Sequence, residues 1–404
     1  MRILIITQYF HPEPGAPANR LLSFARSFAA KGHQVTVLCE FPNYPTGRLA
    51  KGDQFRFCRK EKLENFEVVR SFVIPTRRSN TMLRLINYWS FMVSCFMVGL
   101  FIKRPDLILV SSPPLFAGPA AVWLSSLKRV PLVSDIRDLW PEDAILMGQL
   151  TNMFAIYGGR ATASQLYRKS SLIITISEGL KEKLEMMAPG KEVHVIVNGS
   201  SVPDLWPDKG RHHRIQDGPI TVCYAGTLGL GQPIEDIIEV AAATRDDESI
   251  RYLIVGDGVK RERLMAMAKS ENLDHIKFVG GVSFDTSLEL LCDSDIAVVS
   301  LIGKEIFKSA IPSKFFDCMA LGLPVILGVD GEARRILEAS ETGLFYRSGD
   351  WRDLMDKILF LKGNPDIAQR LGENGRKLVW GQYKRSDLAA QLESIIRNRF
   401  SKKL

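Results

Sequence analysis

A lysine and an aspartate stand one helical turn apart within residues 309–326, SAIPSKFFDCMALGLPVI. Pro312 suits the start of a helix, because proline lacks the N–H that has no intrahelical partner in the first turn. Apolar residues then recur at helical spacing, and Gly322 with Pro324 predicts the end of the helix. Lys314 therefore lies at the positive end of the helix dipole, where a lysine costs about 0.3–1 kcal/mol. An anionic ligand would explain that placement.

Ser313, Lys314 and Asp317 share one face at the start of this predicted helix, because residues three or four positions apart are neighbours there. The cation could neutralise a diphosphate, and the carboxylate one turn later could bind a ribose diol. The spacing therefore predicts a nucleotide clamp. The alternative is an exposed Lys–Asp pair that stabilises the helix by only about 0.2–0.5 kcal/mol.

Two glycine-rich turns in the same half of the chain follow strand-like apolar runs. YAGTLGLG spans residues 224–231, and VGDGVKRERL spans residues 255–264 with Arg261 at the start of the next helical stretch. Such turns let backbone N–H groups and a helix N-terminus approach a phosphate. Neither turn has the full GxGxxG spacing, so tight packing alone is the alternative, and a lone arginine in such a position is usually solvated.

The first half of the chain has two polar stretches that follow apolar runs. SDIRDLWPED, residues 134–143, places carboxylates beside Arg137. Loops at the carboxyl edge of a parallel sheet commonly contain catalytic residues. We therefore predict that Arg137 and Asp138 contact reacting sugar or phosphate groups, with a structural Arg–Asp pair as the alternative. PEPGAPANR, residues 12–20, includes Gly15, whose backbone could approach a phosphate.

The elements that position these residues alternate along the chain. Short apolar runs such as RILIITQ, DLILVSS, RYLIVGDG and PVILGV are separated by amphipathic stretches, which predicts parallel sheets covered by helices on both faces. The predicted fold is α/β, in two units of similar size that hold a ligand in the cleft between the carboxyl ends of their facing sheets. The predicted parts are a first domain at 1–202, a linker at 203–219, a second domain at 220–379, and a helix at 380–404 packing back on the first domain.

The composition is that of a folded protein with more than one domain. The 404 residues are 46% hydrophobic and 24% charged, and this length exceeds one ordinary domain. The six cysteines lie far apart without a Cys-x-x-Cys pair, so we expect core thiols rather than disulfides or zinc ligands. The chain opens directly on the apolar run ILII without a signal-peptide pattern, so we expect a cytoplasmic location.

The positive charge is concentrated in the first half. Residues 1–200 contain 25 Lys and Arg against 15 Asp and Glu, a net charge of +10, and the remainder has a net charge of −2. The sequence contains no recognition helix, zinc finger or aromatic-basic repeat, so no nucleic-acid partner is expected. An anionic membrane surface or a phosphorylated acceptor fits this charge.

A long uncharged segment lies in this basic half. Residues 88–102, YWSFMVSCFMVGLFI, are flanked by Arg77, Arg78, Arg84, Lys103 and Arg104. Fifteen residues fall short of the ~20 that a helix needs to cross a bilayer. The two interpretations are a buried crossover helix and a helix that also lies in a membrane interface, with its basic flanks on lipid phosphates.

One acidic pair has the spacing of a metal-binding motif. Asp293-Ser294-Asp295 has the DxD pattern that binds metal-nucleotides in another transferase architecture, but it stands between a helical run and a strand-like run. A solvated turn is the favoured interpretation, and no other metal-ligand spacing is present. We therefore expect no metal.

Eight stretches, in chain order, are PEPGAPANR, PNYPTG, SSPPL, DIRDLWPED, VNG, YAGTLG, VGDG and IPSKFFDCMALGLPVI. Together they resemble the GT-B family of retaining nucleotide-sugar glycosyltransferases, of the family 4 type, over nearly the whole chain. The first-half stretches are also similar to bacterial O-antigen and capsule enzymes that transfer N-acetyl-L-fucosamine or related amino sugars to a polyprenyl-diphosphate-linked sugar. The resemblance implies an α/β fold of two Rossmann-like domains facing across a cleft (GT-B). The domain at 220–379 would be the nucleotide-sugar-binding domain that holds a UDP-sugar donor, and the domain at 1–202 would bind the acceptor at the inner face of the plasma membrane.

The resemblance also implies roles for particular residues. Lys314 or Arg261 would neutralise the donor diphosphate, and Asp317 would bind ribose. No cofactor or metal is implied besides the co-substrate. The whole set of expected donor-binding residues is Gly15, Asn198, Gly226, Thr227, Arg261, Ser313, Lys314 and Asp317.

The sequence departs from the family pattern at two places. Many relatives have two glutamates eight positions apart, where this chain has Ser309 and Asp317, and the Arg and Lys that relatives place after YAG are absent. Two alternatives therefore stay open. One is a nucleotide-sugar 2-epimerase of the same fold, and the other is a non-catalytic, membrane-associated nucleotide-sugar binder.

Overall fold

The computed structural model describes residues 1–13, 15–43, 46–76, 81–203, 206 and 218–400. The chain forms two compact units, of which unit 1 comprises Met1–Val197 with Arg385–Leu404 and unit 2 comprises Asn198–Lys384. Both units are α/β, which confirms the predicted fold class. Unit 1 reaches Val197, where the sequence predicted a domain ending at residue 202, and most of the predicted linker lies outside the described residues.

The described part of unit 1 before its C-terminal segment contains eight strands and six helices. The strands are β1 (Arg2–Ile6), β2 (Gln34–Glu40), β3 (Cys58–Leu63), β4 (Phe66–Ser71), β5 (Leu107–Ser112), β6 (Leu132–Ile136), β7 (Leu172–Thr175) and β8 (Val193–Val195). The helices are α1 (Ala16–Ala30), α2 (Thr81–Phe101), α3 (Ala117–Lys128), α4 (Glu142–Leu146), α5 (Met153–Lys169) and α6 (Glu178–Met187). The sheet order is β3-β4-β2-β1-β5-β6-β7-β8.

The two faces of this sheet are covered by different helices. Leu4 and Ile6 of β1 pack in the core shared with α2, α3 and α5, whereas Ile3 and Ile5 pack in the core shared with α1. This alternation follows from the two-residue period of a strand. All neighbouring strands pair in parallel except the hairpin of β3 and β4. The carboxyl ends of the parallel strands therefore meet at one edge of the sheet. The polar stretches of unit 1 follow the strands at this edge.

Helix α2 is longer than the uncharged segment that the sequence analysis considered. It begins at Thr81 rather than near residue 88, and Met82–Phe101 is long and apolar enough to cross a bilayer by length and composition. Core helices meet the same criterion. Phe91, Cys95 and Val98 pack in the core of unit 1, so α2 is built into the domain on one side.

Unit 2 has a wholly parallel sheet among its described residues. Its strands are β9 (Ile220–Ala225), β10 (Ile250–Val255), β11 (Ile276–Gly280), β12 (Ile296–Ser300), β13 (Val325–Gly328) and β14 (Gly343–Phe345), in the order β11-β10-β9-β12-β13-β14. Its helices are α7 (Glu235–Ala243), α8 (Arg261–Ser270), α9 (Phe284–Cys292), α10 (Ser313–Ala320), α11 (Glu332–Ala339), α12 (Trp351–Gly363) and α13 (Pro365–Gln382). The glycine-rich turns follow β9 and β10 at the carboxyl edge.

The last helix, α14 (Arg385–Phe400), belongs to unit 1 and packs on α1. Leu392 and Ile396 enter the same core as residues of α1. Glu393 is 2% exposed and lies 3.0 Å from both Lys31 Nζ and His33 Nε2. The buried carboxylate thus has two cationic or hydrogen-bonding partners, which a buried charge requires.

Candidate nucleotide-sugar and acceptor site

The helix predicted around Lys314 is α10. Pro312 is its N-cap residue, with φ of −61° and ψ of 132°, so the helical turns begin at Ser313. Gly322 follows the helix with φ of 79°, a conformation that glycine adopts without strain. Lys314 is the second residue of α10, and Ser313, the first, is half-buried.

The ammonium group of Lys314 is directed at the turn after β9. Its Nζ donates to Tyr224 Oη at 2.8 Å and lies 4.1 Å from the centre of the Tyr224 ring. Tyr224 is fully buried, and its hydroxyl donates to the Thr227 carbonyl at 2.9 Å. A Cβ on Gly226 would lie 2.2 Å from the lysine Nζ. The cation therefore occupies the space that any other side chain at position 226 would need.

The two glycine-rich turns touch through their backbones. Gly226 N donates to Val255 O at 2.8 Å. A Cβ on Gly256 would lie 1.8 Å from Gly226 O, and one on Gly258 would lie 2.4 Å from Leu228 O. Only glycine fits these positions. The alternative of tight packing therefore holds for Gly256 and Gly258, whereas Gly226 faces a cation.

Arg261, the first residue of α8, has an unsatisfied donor. Its Nε is buried and has no hydrogen-bond partner among the described residues, and its Nη2 lies 3.4 Å from where a Cβ on Gly280 would be. A buried N–H without an acceptor costs roughly 1–3 kcal/mol. An anion held here would remove that cost, in addition to the favourable helix N-terminus.

Asp317 already has donors inside unit 2. Its carboxyl is buried, and Oδ1 accepts from Ser200 Oγ at 3.0 Å and from Ser201 N at 2.6 Å. One carboxylate oxygen thus fixes the segment that starts unit 2, where Asn198 also lies. Contact of Asp317 with a ribose diol stays a prediction.

In unit 1, a buried ion pair supports the carboxyl edge of the sheet. Arg20 of α1 is 1% exposed, and Asp135 of β6 is fully buried. Arg20 Nη2 lies 3.0 Å from Asp135 Oδ1, and Arg20 Nη1 donates to Val197 O at 2.9 Å. Ser111 Oγ donates to the second oxygen of Asp135 at 3.3 Å. Loss of the Asp135 charge would leave the Arg20 guanidinium buried without its counterion, which costs about 3–5 kcal/mol.

Arg137 extends this cluster and is itself buried. Its Nε donates to Ser111 Oγ at 3.2 Å and its Nη2 to the Pro113 carbonyl at 2.6 Å. Its nearest carboxylate is Asp135, at 3.8 Å. Burial lowers the pKa of the guanidinium, and the Asp135 charge opposes that shift. The side chain thus positions the loop after β5, and a direct contact between Arg137 and a substrate stays a prediction.

Asp138 and Asp143 form a pair of carboxyls beyond the end of β6. Asp138 is exposed to solvent, and the protein around it still raises the pKa of its carboxyl by desolvation, against the effect of Arg137. Desolvation and then the charge of Asp138 raise the pKa of Asp143 to about 6, although Asp143 Oδ2 accepts from Leu139 N at 2.9 Å. A carboxyl that titrates near neutrality can exchange protons with a substrate. Contact of Asp138 with a reacting sugar or phosphate group stays a prediction.

The remaining predicted residues lie at turns. Gly15 is the N-cap residue of α1, exposed, with φ of 134°, and its carbonyl accepts from Asn19 N at 3.1 Å. Thr227 is exposed in the turn after β9. Structure therefore gathers Gly226, Thr227 and Lys314 in unit 2, and Arg137 with Asp138 in unit 1.

The acidic pair of the DxD pattern contributes to the fold. Asp295 Oδ2 accepts from Thr221 N at 2.7 Å, and Asp293 is the C-cap residue of α9. Within the described residues, no three His, Cys, Asp or Glu side chains are grouped so as to hold a metal ion. All six cysteines are free, but Cys58 is exposed, so the prediction of core thiols is wrong for that residue.

The sequence interpretation missed the contribution of four residues. Tyr224 belongs to the YAG stretch, but nothing in the sequence shows that its hydroxyl meets a lysine about ninety positions later. Arg20 and Asp135 were visible only as charges beside apolar runs. The raised pKa of Asp143 depends on burial, which no spacing rule reports.

Two α/β units with parallel sheets, and a lysine at a glycine turn of the second unit, define a glycosyltransferase of the GT-B architecture. The models for "Glycosyl transferases group 1" and "Glycosyl transferase 4-like domain" match residues 207–378 and 15–199. The chain belongs to the group 1 glycosyltransferases, with a glycosyltransferase 4-like N-terminal domain.

Relatives and solved structures agree with this class. The chain is 28% identical over 339 residues to the "Putative colanic acid biosynthesis glycosyl transferase WcaI" of Escherichia coli K12, covering 80% of this chain and 82% of the relative. It is 23% identical to the alpha-D-kanosaminyltransferase of Streptomyces kanamyceticus, covering 70% and 75%. Sucrose-phosphate synthase from Thermosynechococcus elongatus matches with a TM-score of 0.75 at 17% identity, covering 100% of both chains. Anabaena HepE in complex with UDP-glucose matches with a TM-score of 0.69 at 16% identity, covering 98% and 100%.

Proposed function

We propose that this glycosyltransferase moves a sugar from a UDP-sugar to a polyprenyl-diphosphate-linked sugar, with retention of configuration. The observation that supports a nucleotide-diphosphate donor is the Lys314 ammonium held against Gly226. The lysine has a neutral phenol as its hydrogen-bond partner, so its charge is available to an anion. The complex of HepE with UDP-glucose shows a neighbour of the same fold binding such a donor.

The proposed chemistry depends on fixed cations rather than on a metal. Departure of the nucleoside diphosphate places negative charge on its terminal phosphate, and a cation already in position stabilises that charge without reorganisation. Lys314 would supply this charge, and Arg261 Nε would gain the acceptor that it lacks. In unit 1, Asp138 and Asp143 would receive the proton of the acceptor hydroxyl, because carboxyls with raised pKa values are suited to that transfer.

A membrane-bound acceptor is supported by an apolar surface on unit 1. Outward-facing residues of α2 recur every three or four positions, so they form one stripe along the helix. We call this set the α2 stripe. Its exposed members are Met82, Leu83, Ile86, Trp89, Val93, Met97, Leu100 and Phe101.

Helix α3 widens this surface and adds cations at one end. Trp123 is 42% exposed and Leu127 is 63% exposed. The ring centre of Trp123 lies 5.6 Å from the ring centre of Phe96 in α2. Lys128 Nζ donates to the Ile102 carbonyl at 2.8 Å, and Arg104 Nε donates to the Lys128 carbonyl at 2.9 Å. An apolar face with basic residues at its border is typical of proteins bound at an anionic interface. Arg77 and Arg78, which the sequence analysis included in this border, lie outside the described residues.

We favour binding in the interface over a span of the bilayer. A spanning α2 would remove Phe91, Cys95 and Val98 from the core of unit 1 and leave the sheet face uncovered. Burial of these side chains stabilises the domain by about 1.5–3 kcal/mol for each large residue. The proposed location is therefore peripheral, at the inner face of the plasma membrane.

O-antigen or capsule biosynthesis is the proposed context, and N-acetyl-L-fucosamine is the first donor sugar to test. This assignment follows the PNYPTG, SSPPL and DLWPED stretches, together with the similarity to WcaI. The donor panel must therefore include other UDP-amino sugars.

The test is a transfer assay read by mass spectrometry. Purified protein receives a polyprenyl-diphosphate-HexNAc in detergent and a panel of UDP-sugars, with EDTA present. A new disaccharide-lipid is the expected product, and its formation in EDTA would support a metal-independent reaction. Isomerised UDP-sugar without a lipid product would favour the 2-epimerase, and binding without turnover would favour the non-catalytic binder.

A further inference from the structure

A large groove in unit 1 lies away from the candidate site. It has a volume of about 580 Å³ and is bordered by the amino ends of β1 and β2, the hairpin of β3 and β4, and the segment that follows α2. The candidate residues of unit 1 lie at the opposite, carboxyl edge of the same sheet. We call this cavity the amino-edge groove. The lining residues used below are Arg2, Lys60, Lys62, Glu67 and Lys103.

The register of the hairpin sets the direction of two lysines. Lys60 pairs with Val69 and Lys62 pairs with Glu67, and directly paired residues point to the same face of a sheet. Val69 packs in the core that includes α2. Lys60 and Lys62 therefore lie on the α2 face of the sheet, beyond the end of that helix.

The groove has an excess of available positive charge. Arg2 is engaged by Asp106, since its guanidinium Nη2 lies 3.7 Å from Asp106 Oδ1. Glu61 also lines the groove but accepts from Arg70 Nε at 2.8 Å. In the part of the chain that the structure describes, Lys60, Lys62 and Lys103 form no ion pair, and all three are exposed. Glu67 is the remaining carboxylate, so the cations outnumber it.

The groove adjoins the end of the α2 stripe. Phe101 is 88% exposed and Leu100 is 39% exposed, and Ile102 and Lys103, which follow them, line the groove. An apolar surface beside a basic recess matches an amphiphile whose headgroup is anionic. A soluble phosphate would use the lysines and leave Phe101 in water.

We propose that the amino-edge groove binds the headgroup phosphate of an anionic phospholipid, with the acyl chains against the α2 stripe. The proposal rests on the membrane contact in the proposed function and adds a specific lipid site to it. The three lysines would hold the phosphate by charge, and each lysine near an anionic surface contributes about fivefold in affinity.

The test compares flotation with phosphatidylcholine vesicles and with vesicles containing phosphatidylglycerol. The wild type should bind the anionic vesicles more tightly. The variant K60Q/K62Q/K103Q should lose this preference, with an apparent affinity up to about 100-fold lower at low salt. The matched variant R263Q/K269Q/K277Q removes three exposed positive charges from unit 2 and should keep the preference.

Two further measurements separate a site from general charge. K60R/K62R/K103R should bind like the wild type, which also shows that the three positions tolerate replacement. Glycerol phosphate in millimolar excess should not release the protein from vesicles. Equal losses in the two glutamine variants, an unchanged preference in K60Q/K62Q/K103Q, or release by glycerol phosphate would overturn the proposal.

The transfer assay in detergent distinguishes this proposal from the proposed function. K60Q/K62Q/K103Q should form the disaccharide-lipid at the wild-type rate, because the groove lies at the opposite edge of the sheet from Arg137 and Asp138. Transfer in detergent without any vesicle binding by the wild type would overturn the lipid site and leave the transferase intact.

Discussion

A methyl group at position 226 should displace the lysine that we assign to the donor diphosphate. The Cβ of Gly226→Ala would lie 2.2 Å from Lys314 Nζ and 2.8 Å from its Cε. The end of a lysine side chain can move, so the domain should still fold. The ammonium, however, could no longer lie at the turn, and UDP binding should weaken.

The size of the effect follows from the interaction that is lost. A hydrogen bond to a charged group contributes about 1.5–3 kcal/mol, so UDP should bind about 10- to 150-fold more weakly. The φ of 146° at Gly226 adds a strain of about 1–3 kcal/mol for alanine, which lowers the free energy of unfolding. Lys314→Ala should weaken UDP binding to a similar extent, without that strain and with little change in Tm.

Isothermal titration with UDP on the two single variants and the double variant checks this reasoning. If both substitutions act through the same ammonium, the double variant should bind UDP as tightly as the single variant that has the lower UDP affinity. Gly349→Ala is the matched control, because Gly349 has φ of 89° with nothing within 4 Å of the added Cβ. It introduces a comparable strain without touching a cation and should leave UDP affinity unchanged.

Two results would refute the assignment. Fully additive losses in the double variant would mean that Gly226 and Lys314 act separately. Wild-type affinity in Lys314→Ala would mean that the lysine does not contact the diphosphate.

Three further outcomes are expected. Asp143→Asn should stabilise the protein by about 1–2 kcal/mol at pH 8 and little at pH 4 in thermal melts. The folded carboxyl has a pKa of about 6, above that of the unfolded chain, so the cost of its charge grows between the two pKa values and is complete above pH 6. Glu393→Gln should lower the free energy of unfolding by about 1–3 kcal/mol at neutral pH. Burial raises the pKa of Glu393, but the hydrogen bonds from His33 and Lys31 lower it overall. The loss of stability should therefore fade as the pH falls below 4.5. Trp89→Glu with Phe101→Glu should abolish vesicle flotation while transfer in detergent persists, and retained flotation would contradict the α2 stripe as the membrane contact.

The helix around Lys314 could be predicted closely because its signals are local. Proline before the first turn, apolar spacing and a glycine stop are properties of a few adjacent residues, and the structure places α10 within one residue of the expected start. Helix α2 begins before the predicted segment 88–102, because that segment was limited to the uncharged residues after Arg84. A helix tolerates a charged residue on its exposed side.

The chemical environment of the candidate residues could not be predicted from spacing. The sequence did not show that Arg137 donates to Ser111 and to the Pro113 carbonyl, and its contact with a substrate stays a prediction. The sequence also did not show that Ser200 and Ser201 donate to Asp317, whose contact with a ribose stays a prediction. The partners of Arg137 and Asp317 lie far away along the chain or in irregular segments. The sequence pattern does not predict the direction of a side chain there.

The sequence by itself determined the α/β class, the two-part organisation and the segments that contain the site, because hydrophobic periodicity and turn chemistry act over a few residues. Only the tertiary structure decided which groups meet. The contact of Lys314 with Tyr224, the burial that raises the pKa of Asp143, and the lysines of the amino-edge groove beside α2 all depend on strand order and register. Those are set by packing of the whole core.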